Sequence, residues 1–317
     1  MGEWAFVALG SNVGDRAAHL EAGRHKLATL PRTAVLAEST IEETVPIGPV
    51  KQGKFLNQMV LLDTEQAPTE ILEAAQAAER ETGRVREDRW GPRTLDVDIV
   101  RFGDRNIRRS DLTVPHPELA RRPFWLREHT ELLATVNQDG VPAWAQIKPS
   151  RQAHIQRVAA LVETWAIAMG KSVDERARWT RAAFMHDAVR DAPTEELARW
   201  SDRRWDIPKL FHGPAAAMLA AEHGETDRGV LNAIRFHSLG YAGWDDAGRM
   251  LYMADYLEPG RTFKRKRSAK LAARVPQDSQ GVLIHVVRKR FQWAIEQKRK
   301  ILPEAAEFWN GVVPASS

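Results

Sequence analysis

The chain has 317 residues, of which 43% are hydrophobic and 28% are charged, and it carries a net charge of +4 at neutral pH. This length predicts two domains rather than one. Cysteine is absent, which excludes disulfides and thiolate metal sites, and the small positive excess gives no reason to expect nucleic acid as a partner.

Strands and helices alternate in the first part of the chain. The apolar run Trp4–Leu9 predicts a buried strand, and Gly10 ends it far too early for a signal peptide or a membrane span. We therefore expect a cytoplasmic protein with no membrane partner. Further apolar patterns predict strands at Val35–Thr44, Asn57–Leu62 and Thr94–Phe102, and helices at Asp15–Thr29 and Thr69–Thr82.

The pattern changes at the turn cluster Asn137–Gly140. After it, strand-like alternation nearly disappears, and six segments have helical periodicity, near residues 152–170, 174–189, 213–223, 227–236, 246–257 and 280–300. The sequence therefore predicts an α+β domain at residues 1–136 and an all-α domain at residues 141–317.

Two aspartates share one face of the predicted strand Thr94–Phe102. Successive strand side chains point to opposite faces, so Asp96 and Asp98 point together while the apolar residues between them point to the core. Two carboxylates this close repel each other unless a cation lies between them. Such oxygen ligands suit Mg²⁺, which also binds substrate phosphates. The alternative for an isolated pair is a solvated polar strand face.

An arginine-rich segment precedes this strand, with the rigid sequence Trp90-Gly91-Pro92 inside it. Guanidinium groups match phosphate oxygens in a forked geometry. Phosphoryl and pyrophosphoryl transfer depend mainly on positioning and on neutralising charge, which arginines beside a two-carboxylate metal site can supply. The candidate catalytic arginines are Arg84, Arg86, Arg89 and Arg93.

The decapeptide Arg89–Asp98 resembles the signature of 6-hydroxymethyl-7,8-dihydropterin pyrophosphokinase. The resemblance implies a ferredoxin-like, three-layer αβα fold and the transfer of pyrophosphate from ATP to the pterin in folate biosynthesis, with AMP as the second product. It extends over the first domain, where further segments match in the same order: Gly10–Asn12, Thr44–Pro49, Phe55–Asn57, Leu112–His116, Arg122 and Phe124.

The resemblance also implies roles for individual residues. Asp96 and Asp98 would hold two Mg²⁺ ions that bridge the ATP phosphates, and the four arginines would stabilise the transferred pyrophosphate. Phe55 and Phe124 would sandwich the pterin ring, which suits a flat heterocycle with apolar faces. The other substrate contacts implied are Thr44, Pro46, Ile47, Asn57, Glu79, Trp90, His116 and Arg122.

Histidines and aspartates recur in the predicted helices of the second domain. A single histidine on a helix is usually a satisfied polar group, but the doublet His186-Asp187 lies inside an apolar stretch. Imidazole and carboxylate ligands together suit iron, manganese or zinc, and two such ions can clamp a phosphate. The candidate ligands are His154, His186, Asp187, His212, His237 and Asp255.

This pattern resembles the HD phosphohydrolase superfamily. The segments His212–Pro214, Ala233–Ser238 and Ala254–Pro259 are similar to those of the HD-type symmetrical bis(5′-nucleosyl)-tetraphosphatases, which cut diadenosine tetraphosphate into two ADP. The resemblance implies that the six candidate ligands hold a binuclear iron centre, or manganese or another divalent metal in its place, with Asp187 as the catalytic carboxylate.

Further roles follow from the same resemblance. Arg190 and Arg261 would contact phosphates, and Glu258 would support a ligand from behind. The segment Val282–Lys300 would be a closing helix with its basic side in solvent. The basic run Lys264–Arg267 is most simply a solvated face as well.

Two alternatives for the second domain stay open. It could remove phosphates from a pterin-pathway substrate such as dihydroneopterin triphosphate, or it could be a regulatory module that binds a nucleotide without reaction. The expected partners are ATP, a dihydropterin and a nucleoside polyphosphate, and a homodimer is left open.

Overall fold

The computed structural model describes residues 2–47, 49–84, 91–136, 140–202, 205, 207–260 and 265–313. Its contacts divide the chain into two units, Met1–Val136 and Asn137–Ser317. Each unit buries its own hydrophobic cluster, as expected for a chain longer than one core can serve.

An antiparallel sheet forms the centre of the first unit. The strands are β1 (Glu3–Ser11), β2 (Thr33–Glu38), β3 (Glu42–Thr44), β4 (Phe55–Thr64), β5 (Asp96–Phe102), β6 (Ile107–Arg108) and β7 (Thr113–Val114), and the helices are α1 (Arg16–Ala28), α2 (Pro68–Glu81) and α3 (Pro123–Val136). The main sheet has the order β2-β4-β1-β5, with β3 also paired to β4, while β6 and β7 form a separate pair.

Helices cover both faces of this sheet. α1 and α2 pack on the face where alternate strand residues such as Val7 and Val60 form the core. α3 contacts β2 and β4, and the ring of its His129 lies 4.3 Å from that of Phe6, which points away from Val7. The prediction of an α+β domain with three αβα layers is confirmed.

The predicted strand Val35–Thr44 is divided into β2 and β3. Ser39 lies at the break, and its hydroxyl accepts a hydrogen bond from the Met59 backbone N–H at 2.9 Å. Since a side chain there takes the place of a strand carbonyl, the ladder is interrupted and the chain turns. The turn directs β3 along the end of β4, beside the cavity described below.

α3 is an element that the sequence pattern did not predict. It begins at Pro123, whose fixed φ suits the first helical turn. Its buried residues include Phe124, Trp125 and Leu132. These residues fall on one helical face, so tertiary packing stabilises the helix. The start of the helix places the side chains of Phe124 and Trp125 at the cavity.

The described part of the second unit is helical, which confirms the predicted all-α domain. The helices are α4 (Pro149–Ala168), α5 (Val173–Met185), α6 (Thr194–Trp200), α7 (His212–Glu222), α8 (Arg228–Phe236), α9 (Asp246–Leu257), α10 (Arg265–Arg274), α11 (Ser279–Glu296) and α12 (Pro303–Val312), with a 3₁₀ turn at Pro208–Leu210. Trp165, Trp179 and Tyr252 are among its fully buried side chains.

Three of these helices, α6, α10 and α12, were not predicted, and two predicted ends were wrong. α5 stops at Met185, so that the doublet His186-Asp187 lies in the turns that follow. α11 ends at Glu296, because Lys298 has a φ of 51°, which a right-handed helix does not tolerate. Over the ranges that the structure covers, no helix combines the length and apolar composition needed to cross a bilayer.

Candidate active sites

The floor of a cavity in the first unit is a row of residues across three neighbouring strands. Gly10 of β1 pairs with Asn57 of β4 on one side and with Asp96 of β5 on the other. In the next row on the same face, Ala8 lies opposite Asp98. Ala8 has only a methyl side chain and Gly10 has none. Space therefore remains between the Asn57 amide and the carboxylates of Asp96 and Asp98.

The amide of Asn57 is held in place by the neighbouring strand. Its Nδ2 donates to Thr44 Oγ1 at 2.9 Å, and its Oδ1 lies beside Gly10, where an added Cβ would be 3.4 Å away. The predicted residues that line this cavity are Thr44, Pro46, Ile47, Phe55, Asn57, Arg93, Asp96, Asp98, Arg122 and Phe124, while Gln52 and Trp125 line it without having been predicted.

Asp96 lies between two arginines. Arg84 Nη1 is 2.7 Å from one of its carboxylate oxygens, and Arg93 pairs with the other. Glu79 pairs with Arg84 and accepts a hydrogen bond from the Val97 backbone N–H at 3.0 Å. Glu79 is buried and lies outside the described lining of the cavity, so these contacts fix β5 and Arg84 from behind.

Asp98 faces a cation and a neutral histidine. Arg122 Nη1 lies 3.6 Å from its Oδ2, and His116 Nε2 lies 4.0 Å from its Oδ1. Burial and the neighbouring Asp96 carboxylate raise the pKa of Asp98 to about 7, because a second negative charge is unfavourable here without a cation. Burial, reinforced by Arg122, lowers the pKa of His116 to about 4.

Trp125 supports both groups that face Asp98. The Arg122 guanidinium lies 4.2 Å from the indole centroid, and the His116 ring meets the indole edge-on at 5.0 Å. His116 Nδ1 accepts from the Glu118 backbone N–H at 3.1 Å, which places the proton on Nε2, toward Asp98. The signal for Trp125 was its position directly after Phe124. Arg86, Arg89 and Trp90, predicted for this site, lie outside the described residues.

In the second unit, Asp187 is shared by two groups of buried metal-type ligands. One group consists of His154, His186 and Asp187, and the other of Asp187, His212 and His237. Asp187 Oδ2 lies 3.9 Å from His154 Nε2 and 3.8 Å from His186 Nε2. Asp187 Oδ1 lies 3.4 Å from His212 Nε2 and 3.5 Å from His237 Nε2. Each carboxylate oxygen therefore faces one pair of imidazoles.

Backbone contacts set the tautomer of three of these histidines. The Nδ1 atoms of His186, His212 and His237 lie 2.6, 2.9 and 2.8 Å from the carbonyl oxygens three residues before each. A carbonyl only accepts, so each Nδ1 carries the proton and each Nε2 presents a lone pair. Burial, the main cause, lowers the pKa of His186 to about 4 and that of His212 to about 3, which keeps both neutral.

Carboxylates and arginines surround the fourth histidine. His154 Nε2 lies 3.4 Å from Asp255 Oδ1, and its Nδ1 lies 3.3 Å from Glu258 Oε1. Burial alone would lower the pKa of His154, but its bonds to Asp255 and Glu258 outweigh burial and raise it to about 9. Arg157 Nε donates to Glu258 Oε2 at 2.6 Å. Glu258 therefore orients His154 from behind, in the way that outer carboxylates orient metal-binding histidines.

This donor set fits divalent metal ions. The buried Nε2 of His186 has no hydrogen-bond partner among the described residues, and the Nε2 atoms of His212 and His237 lie 3.1 Å apart. Two lone pairs at that distance repel each other unless a cation or a proton lies between them. Four imidazoles with aspartate oxygens are the ligands that iron, manganese and zinc accept.

Of the two arginines predicted to contact phosphates, Arg190 lies beside this centre, at the carbonyl oxygen that His212 Nδ1 also contacts, and two residues that were not predicted also lie there. Arg190 Nη1 contacts the Lys209 carbonyl at 3.5 Å, and Arg261 lies outside the described residues. Arg151 Nη1 lies 2.7 Å from Asp187 Oδ2. The sequence could have indicated this residue, because it lies one turn before the candidate ligand His154 on the same helix. Ser238 Oγ lies 3.2 Å from His237 Nε2.

Comparison with known proteins gives a family match for each of the two domains. The family model described as 7,8-dihydro-6-hydroxymethylpterin-pyrophosphokinase matches residues 6–134, and the HD domain model matches residues 151–265. The 2-amino-4-hydroxy-6-hydroxymethyldihydropteridine pyrophosphokinase of Bacillus subtilis is 41% identical over 155 residues, which cover 46% of this chain and 93% of that protein. The chain belongs to the pyrophosphokinase family.

Two further relatives match the pyrophosphokinase domain. The protein of the same name from Pseudomonas aeruginosa is 43% identical over 121 residues, 38% of this chain and 75% of that protein. The "Folate synthesis bifunctional protein, mitochondrial" of Pisum sativum is 36% identical over 143 residues, 45% of this chain and 28% of the pea protein. In the present chain, the pyrophosphokinase domain is fused to an HD domain.

A solved structure from Clostridium acetobutylicum is also similar, and is described as a predicted HD superfamily hydrolase involved in NAD metabolism. It has a TM-score of 0.47 and 23% identity, and the match covers 59% of this chain and 95% of that chain. We draw no conclusion from this structural likeness, and the assignment of the HD domain follows from the family model.

Proposed function

We propose that the two aspartates of the pyrophosphokinase domain hold the Mg²⁺–ATP complex while Asn57 binds the pterin edge. The row Asn57–Gly10–Asp96 supports this proposal, because it sets a fixed amide across an open floor from the carboxylates. The hydroxymethyl oxygen of the pterin would attack the β-phosphorus of ATP and release its proton to solvent, while the bond between the β-phosphorus and the α-phosphate oxygen would break and AMP would leave.

The arginines of this domain would neutralise the transferred group. Arg93 and Arg122 line the cavity from the two sides of the aspartate pair. The N–H group at Nε2 of neutral His116, which faces Asp98, can donate a hydrogen bond to a phosphate oxygen. Glu79 lies behind β5 and would act through Arg84 rather than on the nucleotide.

The HD domain is a metal-dependent phosphohydrolase in our proposal, and its substrate is a nucleoside polyphosphate such as diadenosine tetraphosphate. The single observation that carries this is Asp187, whose two oxygens face two separate imidazole pairs. Two divalent ions bound there, iron or manganese by ligand type, would activate a water molecule and neutralise phosphate charge. Hydrolysis of diadenosine tetraphosphate by one water would give two ADP.

A substrate screen on the full chain tests this assignment. Asp98→Ala would silence the kinase, and the protein would receive diadenosine tetraphosphate or dihydroneopterin triphosphate with Fe²⁺ or Mn²⁺. We expect ADP from the first substrate and loss of this activity in Asp187→Ala, whose pyrophosphokinase activity should persist. Turnover of the pterin triphosphate alone would overturn the assignment in favour of a pterin-pathway phosphatase.

The second candidate function, a regulatory nucleotide-binding module, is disfavoured by the buried ligands. A module that only binds nucleotide has no need of four imidazoles around one carboxylate, whose desolvation is costly without a metal. The cytoplasmic location, the homodimer and the identity of the metal stay predictions. Cell fractionation, sedimentation and metal analysis of the protein as isolated will test them.

A further inference from the structure

Arg290 of α11 reaches the proposed metal centre from a helix that lies beyond the stretch matched to the HD model. That match ends at residue 265, and α11 spans Ser279–Glu296. Arg290 Nη2 donates to Asp255 Oδ2 at 2.9 Å. We expected the basic side of this helix to lie in solvent. Arg288 is exposed as expected, but Arg290 is partly buried, which contradicts the expectation.

The Arg290 guanidinium is held in one orientation. It lies 4.2 Å from the ring centroid of Tyr252 and within 3.4 Å of two carbonyl oxygens, those of Ser238 and Tyr252. Ser238 follows the ligand His237, and Tyr252 lies on α9 one turn before Asp255. The group is therefore fixed before any ligand arrives, which reduces the rotamer entropy lost in binding the carboxylate.

The contact divides the two oxygens of Asp255 between different partners. Oδ2 is bound by Arg290, whereas Oδ1 lies 3.4 Å from His154 Nε2, toward the His154–His186 group. An aspartate without this contact could rotate about its terminal bond. With it, Oδ1 is held toward His154 Nε2, where it would serve as a ligand when a metal is bound.

We propose that Arg290 is a positioning residue for the metal ion of the His154–His186 group, and that α11 is therefore a functional part of the HD site. Asp255 belongs to neither of the two groups defined above, but its Oδ1 lies 3.4 Å from Nε2 of His154, which is in the first group. Loss of Arg290 should thus weaken one of the two metals. The inference rests on the proposed metal centre, but it concerns metal affinity and not the identity of the substrate.

Metal binding by the full chain tests the proposal without any substrate. All proteins would carry Asp98→Ala, so that the pyrophosphokinase site does not contribute, and Mn²⁺ would be titrated and counted by elemental analysis. The test variants are Arg290→Met, which keeps the aliphatic length beside Tyr252, and Arg290→Lys, which keeps the charge. Arg288→Gln is the matched control, because Arg288 is exposed on the same helix.

We expect two Mn²⁺ per chain in the parent and in Arg288→Gln. In Arg290→Met one of the two should bind about 10- to 100-fold more weakly, the usual effect of losing an outer contact to a ligand, and Arg290→Lys should recover part of the affinity. Two unchanged affinities in Arg290→Met would overturn the positioning role. Equal weakening of both ions would indicate a general structural defect and would overturn it too. A parent that binds fewer than two ions would instead refute the binuclear centre.

Discussion

Asn12 joins two segments that line the pyrophosphokinase cavity, and its replacement gives a sharp test of how the site is built. Its Oδ1 accepts a hydrogen bond from the Arg93 backbone N–H at 2.7 Å, and its Nδ2 donates to Gln52 Oε1 at 2.8 Å and to the Gly53 carbonyl at 3.2 Å. The side chain is only 9% exposed, so water replaces these bonds poorly.

The magnitude follows from these three bonds. At about 1 kcal/mol net for each, Asn12→Ala should lower the free energy of unfolding of the first unit by about 3 kcal/mol. Asn12→Asp keeps the acceptor for Arg93 but turns a charged oxygen toward the Gln52 and Gly53 oxygens, so its loss should be at least as large. Because Gln52 and Arg93 both line the cavity, both variants should also lower kcat/KM.

Urea denaturation of the full chain, monitored with a separate probe in each unit, measures the change in the free energy of unfolding. AMP release from ATP and pterin measures the change in kcat/KM. Asn106→Ala, a replacement of an exposed asparagine in the same unit, is the control and should be neutral within about 0.5 kcal/mol. A loss below about 1 kcal/mol in Asn12→Ala would refute the reasoning. So would an Asn12→Asp protein clearly more stable than Asn12→Ala.

Three further outcomes are expected. The pKa of Asp98 is raised from 3.8 to about 7 in the folded state. Between these two pH values the folded state therefore keeps a proton on Asp98 that the unfolded state has already released. Without Mg²⁺ the stability of the first unit should therefore fall as pH rises from about 4 to about 7, and Asp98→Asn should flatten this slope in pH-dependent thermal unfolding. Arg178 binds the capping carboxylates of α8 and α9, Asp227 and Asp245, each at 2.6 Å, so Arg178→Ala should cost about 2 kcal/mol and Arg178→Lys less, measured in urea. Trp125→Leu removes the surface beneath Arg122 and should raise the KM for ATP several-fold with little change in hydrolase activity, whereas an unchanged KM would show that Arg122 does not need the indole.

Local pattern in the sequence was enough for the aspartate pair. Strand alternation alone places Asp96 and Asp98 on one face, because successive side chains of any strand point to opposite faces. The structure adds that Leu95 and Ile99 are buried in the opposite core. The division of the chain near Val136 and the helical character of the second unit were equally accessible, since Gly and polar clusters punctuate chains and helical periodicity recurs within each segment.

Contacts between distant segments were not accessible in this way. The break at Ser39 depends on the backbone of Met59, and α3 is stabilised by packing against a sheet formed from residues far away in the chain. Glu79 shows the same limit. Its type suited a nucleotide contact, but its position behind β5 followed only from how α2 packs.

The sequence by itself determined which residue types could do the chemistry. The decapeptide Arg89–Asp98 and the doublet His186-Asp187 carry enough local pattern to indicate a phosphate site and a metal site. Only the tertiary structure decided which atoms meet. The division of Asp187 between two imidazole pairs and the approach of Arg290 to Asp255 both join segments that lie far apart in the chain. Their geometry depends on packing across tens of residues, which no local period encodes.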